Sequence, residues 1–161
     1  MFRREDTAGN GWRYDLKPIK LTLLTPIGSW SYDDGDLVVV TTKDGARGFM
    51  RHHLPTIVEI IPGPVRYRVP SSGSGGETWR AMVVSVGYAE VQADEVTVVV
   101  NAAELPETID RERAERALER AEAIVRDPLT EDLERTRARH AMRRAKARID
   151  FHRRFVEKEK R

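Results

Sequence analysis

The sequence has no cysteine, which excludes a disulfide framework, a thiolate metal site and a cysteine nucleophile. That is compatible with a reducing compartment. It also has no apolar run long enough to cross a bilayer and no signal-peptide core, so a soluble or peripheral protein is expected. Catalytic signatures are missing too. The stretch "SSGSGG" lacks the lysine and following Ser or Thr of a phosphate loop, and it reads as a flexible linker. No paired carboxylates and no nucleophile–base set support a stand-alone enzyme. His52-His53, beside Arg51, has no acidic or further histidine ligand near it in sequence. Adjacent residues of an extended segment point apart, so a structural or surface role is expected there rather than a metal site.

What is present is unevenly distributed. The chain has 161 residues, 40% of them apolar, enough for one medium domain or two small ones. The net charge of +2 conceals a split. Residues 1–108 carry 11 Lys and Arg against 14 Asp and Glu, whereas residues 109–161 carry 17 against 12. The excess sits near the end, where residues 131–161 hold 12 basic and 6 acidic side chains. A basic helix there implies an anionic partner.

The two parts also differ in period. "PIKLTLLTP" alternates Ile19, Leu21 and Leu23 with Lys20 and Thr22, as a half-buried strand does. "DLVVVTT", bounded by Gly35 and Gly45, suits a strand buried on both faces. "PVRYRVP" sets Val65, Tyr67 and Val69 opposite Arg66 and Arg68, and in "TWRAMVVSVGYAEVQADEVTVVV" two β-rich runs flank a turn near Ala93-Asp94. Such spacing predicts a sandwich or flattened barrel of roughly 90 residues. After "NAAELPET" the period becomes 3.6. Ala114, Ala117, Leu118, Ala121, Ile124 and Val125 form one stripe, and Ala138, Ala141, Met142, Ala145, Ile149 and Val156 a second. Pro128 breaks the helix between them and Thr130 is placed to cap the next one. Two helices joined so closely should be antiparallel neighbours. Their alanine-rich stripes bury little area, so the hairpin is expected to be marginal alone and able to move. The first 18 residues fit neither part; a frayed terminus is expected, with Trp12 and Tyr14 as candidates to dock on the sandwich.

Arginines border both stripes. At 100° per residue, Arg113 and Arg120 fall about 20° apart and Arg144 and Arg148 about 40° apart. If the stripes pack together, the two pairs can face one another along one edge. Guanidiniums converging there would suit a polyphosphate, which their planar forks bind bidentately. The plain alternative is a solvated rim, with Glu112–Arg116 and Arg111–Glu115 as i,i+4 pairs and Asp110 as an N-cap or first-turn acid.

Three stretches in order resemble the epsilon subunit of bacterial F-type ATP synthase. "DGARGFMRHHLPTIVEIIPGPVRYRV" is similar to the family's "GxxGxxPGHAPLLTxLxPGxxRI", with Gly48, His53, Pro55 and Pro62-Gly63 in place. "VSVGYAEVQADEVTVVVNAAE" is similar to "SGGxxEVxxxxVTVLAdxAE", and "IDRERA" fits the "I/L-D-x-x-R-A" that opens the first C-terminal helix. The resemblance implies an N-terminal ten-stranded β-sandwich over 19–104. An antiparallel two-helix hairpin over 105–161 follows, with helices at about 109–126 and 131–158. It implies no catalytic site and no required cofactor, and a regulatory ATP held by the folded hairpin. Carried over by motif position, the nucleotide contacts are Glu104, Ile109, Asp110, Arg113, Ala114 and Arg120, with Arg144 and Arg148 on the second helix.

The implied partners are the gamma subunit, the c-ring of the Fo sector, and the beta (and alpha) subunits when the helices extend to inhibit hydrolysis. The implied place is the cytoplasmic side of the bacterial membrane, peripheral, coupling proton translocation to rotation. A loop with Asp44, Arg47, Arg51 and His53 would face the c-ring. Departures fall there: Arg47 stands where an acidic or neutral residue is usual, and "MRHH" replaces a "PGH" pattern. "SVG" replaces "SGG", and the N-terminal extension has no family counterpart. The alternative from another class is a nucleic-acid-binding module with the basic helix on a phosphate backbone. Its 6 acidic residues and few aromatics count against it.

Overall fold

The computed structural model describes residues 18–70 and 77–155. The N-terminal extension up to residue 17, the "SSGSGG" linker and the helix end from Val156 lie outside the described residues. Ten strands come first: β1 (Ile19–Thr25), β2 (Gly28–Gly35), β3 (Leu37–Thr42), β4 (Gly45–Phe49), β5 (Thr56–Ile60), β6 (Gly63–Val69), β7 (Thr78–Val84), β8 (Gly87–Gln92), β9 (Glu95–Val100) and β10 (Ala103–Glu104). They form two five-stranded sheets, β2-β1-β9-β8-β5 and β10-β7-β6-β3-β4. Only the β1–β9 pair is parallel. The sheets stack into a sandwich because alternation gives each one an apolar inner face. Ile19, Leu21 and Leu23 from one sheet meet Val38, Val40, Val65 and Tyr67 from the other in a single buried core. Val39 is buried as well, matching the expectation that β3 is covered on both faces.

Two strand assignments differ from the sequence pattern. β2, "GSWSYDDG", has the composition of a loop, yet it pairs along β1. Trp30 and Tyr32 pack against the core, while Ser29, Ser31 and Asp33 are exposed. An edge strand buried on one side needs no more apolar residues than that. Residues 78–100 hold three strands rather than two. The expected turn at Ala93-Asp94 joins β8 to β9, and both residues take positive φ, 48° and 68°, the conformation of a primed hairpin turn.

The chain then passes through a short 3-10 turn, Pro106–Thr108, into α1 (Arg111–Arg126) and α2 (Asp132–Phe155). Asp110 caps α1: its carboxylate accepts from the Arg113 amide at 2.8 Å. Thr130 does not cap α2 as expected. Its hydroxyl donates to the Ile124 carbonyl at 2.9 Å, satisfying an orphan acceptor in the last turn of α1. Arg135 secures the same connection by donating to the carbonyls of Asp127, Pro128 and Thr130.

The helices pack together through small residues; Ala114, Ala121, Ala138 and Ala145 are all buried. α2 also lies on the outer face of the second sheet. Phe151, only 1% exposed, packs with Ala81, Val83 and Ile109, and Ala147 and Phe155 sit beside it. Phe151 belongs to neither predicted stripe. Ala145 and Phe151 are about 120° apart on the helix, so α2 carries one apolar face for α1 and another for the sheet.

Candidate functional site

The strongest convergence of charge lies where the sandwich meets the hairpin. β10 ends the β-region at Glu104, the 3-10 turn and the Asp110 cap set the start of α1, and the antiparallel return brings the middle of α2 back beside β10. The result is a cavity of about 410 Å³ lined by Glu104, Asp110, Arg113, Ala114, Arg120 and Arg148, together with Thr108 and Ala117. Six of the eight residues expected from motif position thus share one cavity. Arg144 is displaced from it. It borders a narrow gap with Arg148 and Glu104, and a wider cleft between the helices that it shares with Arg120. Ile109 does not line the cavity; it is 7% exposed and packs with Ala81, Val83 and Phe151. Its apolar side chain anchors the entry to α1 instead.

The arginines are not equivalent. Arg148 is bound by Glu104: its Nε donates to both carboxylate oxygens at 2.9 and 3.0 Å, and a terminal nitrogen pairs with the same group. Both side chains are about one-third exposed, 32% and 30%. Arg113, Arg120 and Arg144 have no ion-pair partner among the described residues. Arg116 lies outside the cavity and pairs with Glu112, and Arg111 pairs with Glu115, as the i,i+4 spacing predicts. Two guanidiniums therefore stand free around the cavity and a third is held by a carboxylate. Such a cavity can take an anion with several oxygens, the free forks bonding it directly and Arg148 exchanging or sharing its acceptor. Thr108 was not singled out from the sequence. Its position two residues before Asp110, at the mouth of a helix N-terminus, is the signal that marks it.

The second set of expected residues is split by β4. Asp44 lies in the turn before the strand, where its amide donates to the Thr42 hydroxyl, and Arg47 is exposed within the strand. Arg51 and His53 follow the other end. There Arg51 Nε donates to Asp94 at 2.7 Å, and the His53 ring meets Phe49 edge-on with centroids 5.0 Å apart. The segment is a turn rather than the extended chain expected, with His52 at φ 62°. Asp94, 42 residues from His52, accepts from the His52 amide. That hydrogen bond first, and Arg51 with it, hold the Asp94 carboxylate below its ordinary value. Sequence proximity could not reveal this acid beside the histidines, because it arrives on the β8–β9 turn.

Comparison with known proteins places this architecture. Residues 18–106 match the family model of the ATP synthase delta/epsilon chain β-sandwich domain, and residues 107–151 match that of its long α-helix domain. The chain belongs to the epsilon-subunit family of F-type ATP synthases. Among its epsilon relatives, the ATP synthase epsilon chain of Alkalihalophilus pseudofirmus is 37% identical over 108 residues, 67% of this chain and 77% of that one. The epsilon chain of Syntrophobacter fumaroxidans is 39% identical over 104 residues, 65% of this chain and 73% of its own. The fold is shared with a chain of the Euglena gracilis mitochondrial ATP synthase structure containing OSCP, F1 and the c-ring. That match has a TM-score of 0.69 at 24% identity and covers 91% of this chain and 88% of that one. Both parts expected of an epsilon subunit, the ten-stranded sandwich and the helical hairpin, are therefore present.

Proposed function

We propose that this epsilon subunit is a non-catalytic rotor component whose hairpin is a nucleotide-sensitive brake on ATP hydrolysis. The observation that carries the proposal is the cavity at the hinge of the hairpin, with Arg113 and Arg120 unpaired on α1 and Arg148 on α2 held by Glu104. It closes only when both helices lie against the sandwich, so a ligand there favours the folded hairpin over the extended one. ATP supplies the required charge and geometry.

Magnitudes make the switch workable. The hairpin docks on the sandwich chiefly through Phe151 and its neighbours, worth about 2–3 kcal/mol for one buried aromatic ring. A partly exposed Glu104–Arg148 pair adds on the order of 1 kcal/mol or less. A ligand at a hundred times its Kd that binds only the folded form adds about 2.7 kcal/mol, a shift of the same size as the docking itself. High ATP would retain the hairpin and low ATP would release it. Released, the basic α2 would meet acidic surface on the catalytic beta subunits.

The remaining partners follow from the other faces. The hairpin covers the outer face of the β7-containing sheet, whereas the opposite sheet carries exposed Leu24, Ile57 and Tyr88 with Leu54 at its margin. This apolar patch suits the gamma subunit. The β3–β4 turn, with Asp44 and Arg47, suits the polar loops of the c-ring. No helix among the described residues is long and apolar enough to cross a membrane, consistent with peripheral attachment on the cytoplasmic side through the complex.

The test is ATP hydrolysis by the assembled complex, with the full chain or with residues 109–161 removed, across a range of ATP concentrations. Removal should raise hydrolysis most at low ATP. Equal rates at every concentration would eliminate the brake.

A further inference from the structure

One edge of the sandwich is incomplete. β7 pairs with β6 along its whole length, Thr78–Val84, but on its other side only Val83 and Val84 meet β10. Among the described residues no strand lies beside Thr78–Met82. A cavity of about 640 Å³ runs along this stretch. Its walls come from both sides of the strand. Leu21, Tyr32 and Met82 belong to the interior, whereas Trp79, Ala81 and Phe155 belong to the outer face and the end of α2. The register separates the two sets: Met82 sits opposite the buried Val65, and Ala81 opposite Arg66. A cavity that wraps an unpaired strand edge and presents apolar surface on both sides has the shape of a missing strand.

We propose that the N-terminal segment Trp12–Lys17 fills it, adding to the β7 edge with Trp12, Tyr14 and Leu16 turned into the sandwich. Three observations select this occupant. The segment reads W-R-Y-D-L-K, with the three apolar residues alternating strictly with Arg13, Asp15 and Lys17, the pattern of a half-buried strand. Its tether is at the mouth: the Ile19 carbonyl accepts from the Tyr67 hydroxyl at 2.9 Å, and Tyr67 lines the cavity. Pro18 has no amide to extend the β1 ladder, so the chain leaves the first sheet there. The gap between stacked sheets is about 10 Å, which three extended residues span, so the segment reaches β7 from Ile19. The rival tail, residues 156–161, reads V-E-K-E-K-R and offers a single apolar side chain.

The experiment is amide hydrogen exchange by NMR on the full chain. The edge amides of Thr78–Met82 are followed in the wild type and in three variants. These are the triple Trp12→Ala, Tyr14→Ala, Leu16→Ala; the charge-face control Arg13→Ala, Lys17→Ala; and a chain ending at Phe155. The β7 edge amides should be protected in the wild type. Their exchange should accelerate by about tenfold or more in the triple variant, and stay slow in the control and in the shortened chain. A cross-peak between the Trp12 indole and the Tyr32 ring is expected in the wild type, so the proposal stands or falls even if the triple variant does not fold. Absence of that cross-peak, or unprotected edge amides in the wild type, overturns the proposal. So does protection lost on cutting at Phe155, which would assign the edge to the C-terminal tail. Protection that rises with protein concentration would assign it to a second copy, and would also overturn it.

Discussion

Individual residues join the two sheets at the end of the sandwich where β1 begins. The Tyr67 hydroxyl accepts from the Gly35 amide at 2.5 Å and donates to the Ile19 carbonyl at 2.9 Å, bridging the layers from a side chain 1% exposed. Burial holds its hydroxyl above the ordinary tyrosine value. The close approach requires Gly35, since a Cβ there would lie 2.3 Å from the Arg68 carbonyl. Tyr67→Phe leaves two buried backbone groups unpaired. It should cost about 1–3 kcal/mol of stability in denaturant titration; a loss below a few tenths would mean that the bridge carries no weight. Beside it, Arg80 grips Asp34 of β2 with both terminal nitrogens, at 2.5 and 2.7 Å, and lies over the Tyr32 ring. The hydrogen bonds from Arg80 hold Asp34 below its ordinary 3.8. A carboxyl depressed in the folded state stabilises the fold above its unfolded value, and the contribution is lost as pH falls through the lower, folded one. Stability should therefore decline below about pH 4, and Asp34→Asn should flatten that acid limb in thermal melts. An unchanged limb would assign it to other carboxylates. The candidate cavity was partly legible at this scale. Helical arithmetic placed Arg113, Arg120 and Arg148 together, but nothing local could show that Glu104, 44 residues before Arg148, would hold that guanidinium.

At the scale of elements, alternation and period identified β1, β3, β6 and both helices because each buries a single regular face. β2 escaped notice because Trp30 and Tyr32 are its only large inward side chains, set among glycine, serine and aspartate. Phe151 escaped for the opposite reason: α2 buries two faces, and one stripe cannot describe both. Phe151 is also where the docking of the hairpin is concentrated. Phe151→Ala should cost about 3–5 kcal/mol of packing, more than the docking energy available. The hairpin should then leave the sandwich while the core around Leu23, Val40 and Val98 stays intact. Hydrogen exchange would show α2 deprotected and β9 unchanged; simultaneous loss of both would mean that hairpin and sandwich form one cooperative unit.

For the whole molecule, a well-filled β-sandwich carries a hairpin attached by one aromatic anchor and one ion pair, with unpaired arginines at the hinge. A rigid foot and a weakly held arm suit a rotor subunit that must keep its grip while changing state. Weak attachment lets a small ligand decide the position of the arm. The central claim is that the hinge cavity binds ATP through Arg113, Arg120 and Arg148. Calorimetric titration of ATP into the full chain tests it most directly, beside an Arg113→Ala, Arg120→Ala variant that leaves the Glu104–Arg148 pair in place. The account predicts saturable binding of one ATP per chain, weakened at least about a hundredfold in the variant, or roughly 2.7 kcal/mol. No binding to the wild type, or equal binding to both, would contradict it and leave the arginines as contacts for protein carboxylates.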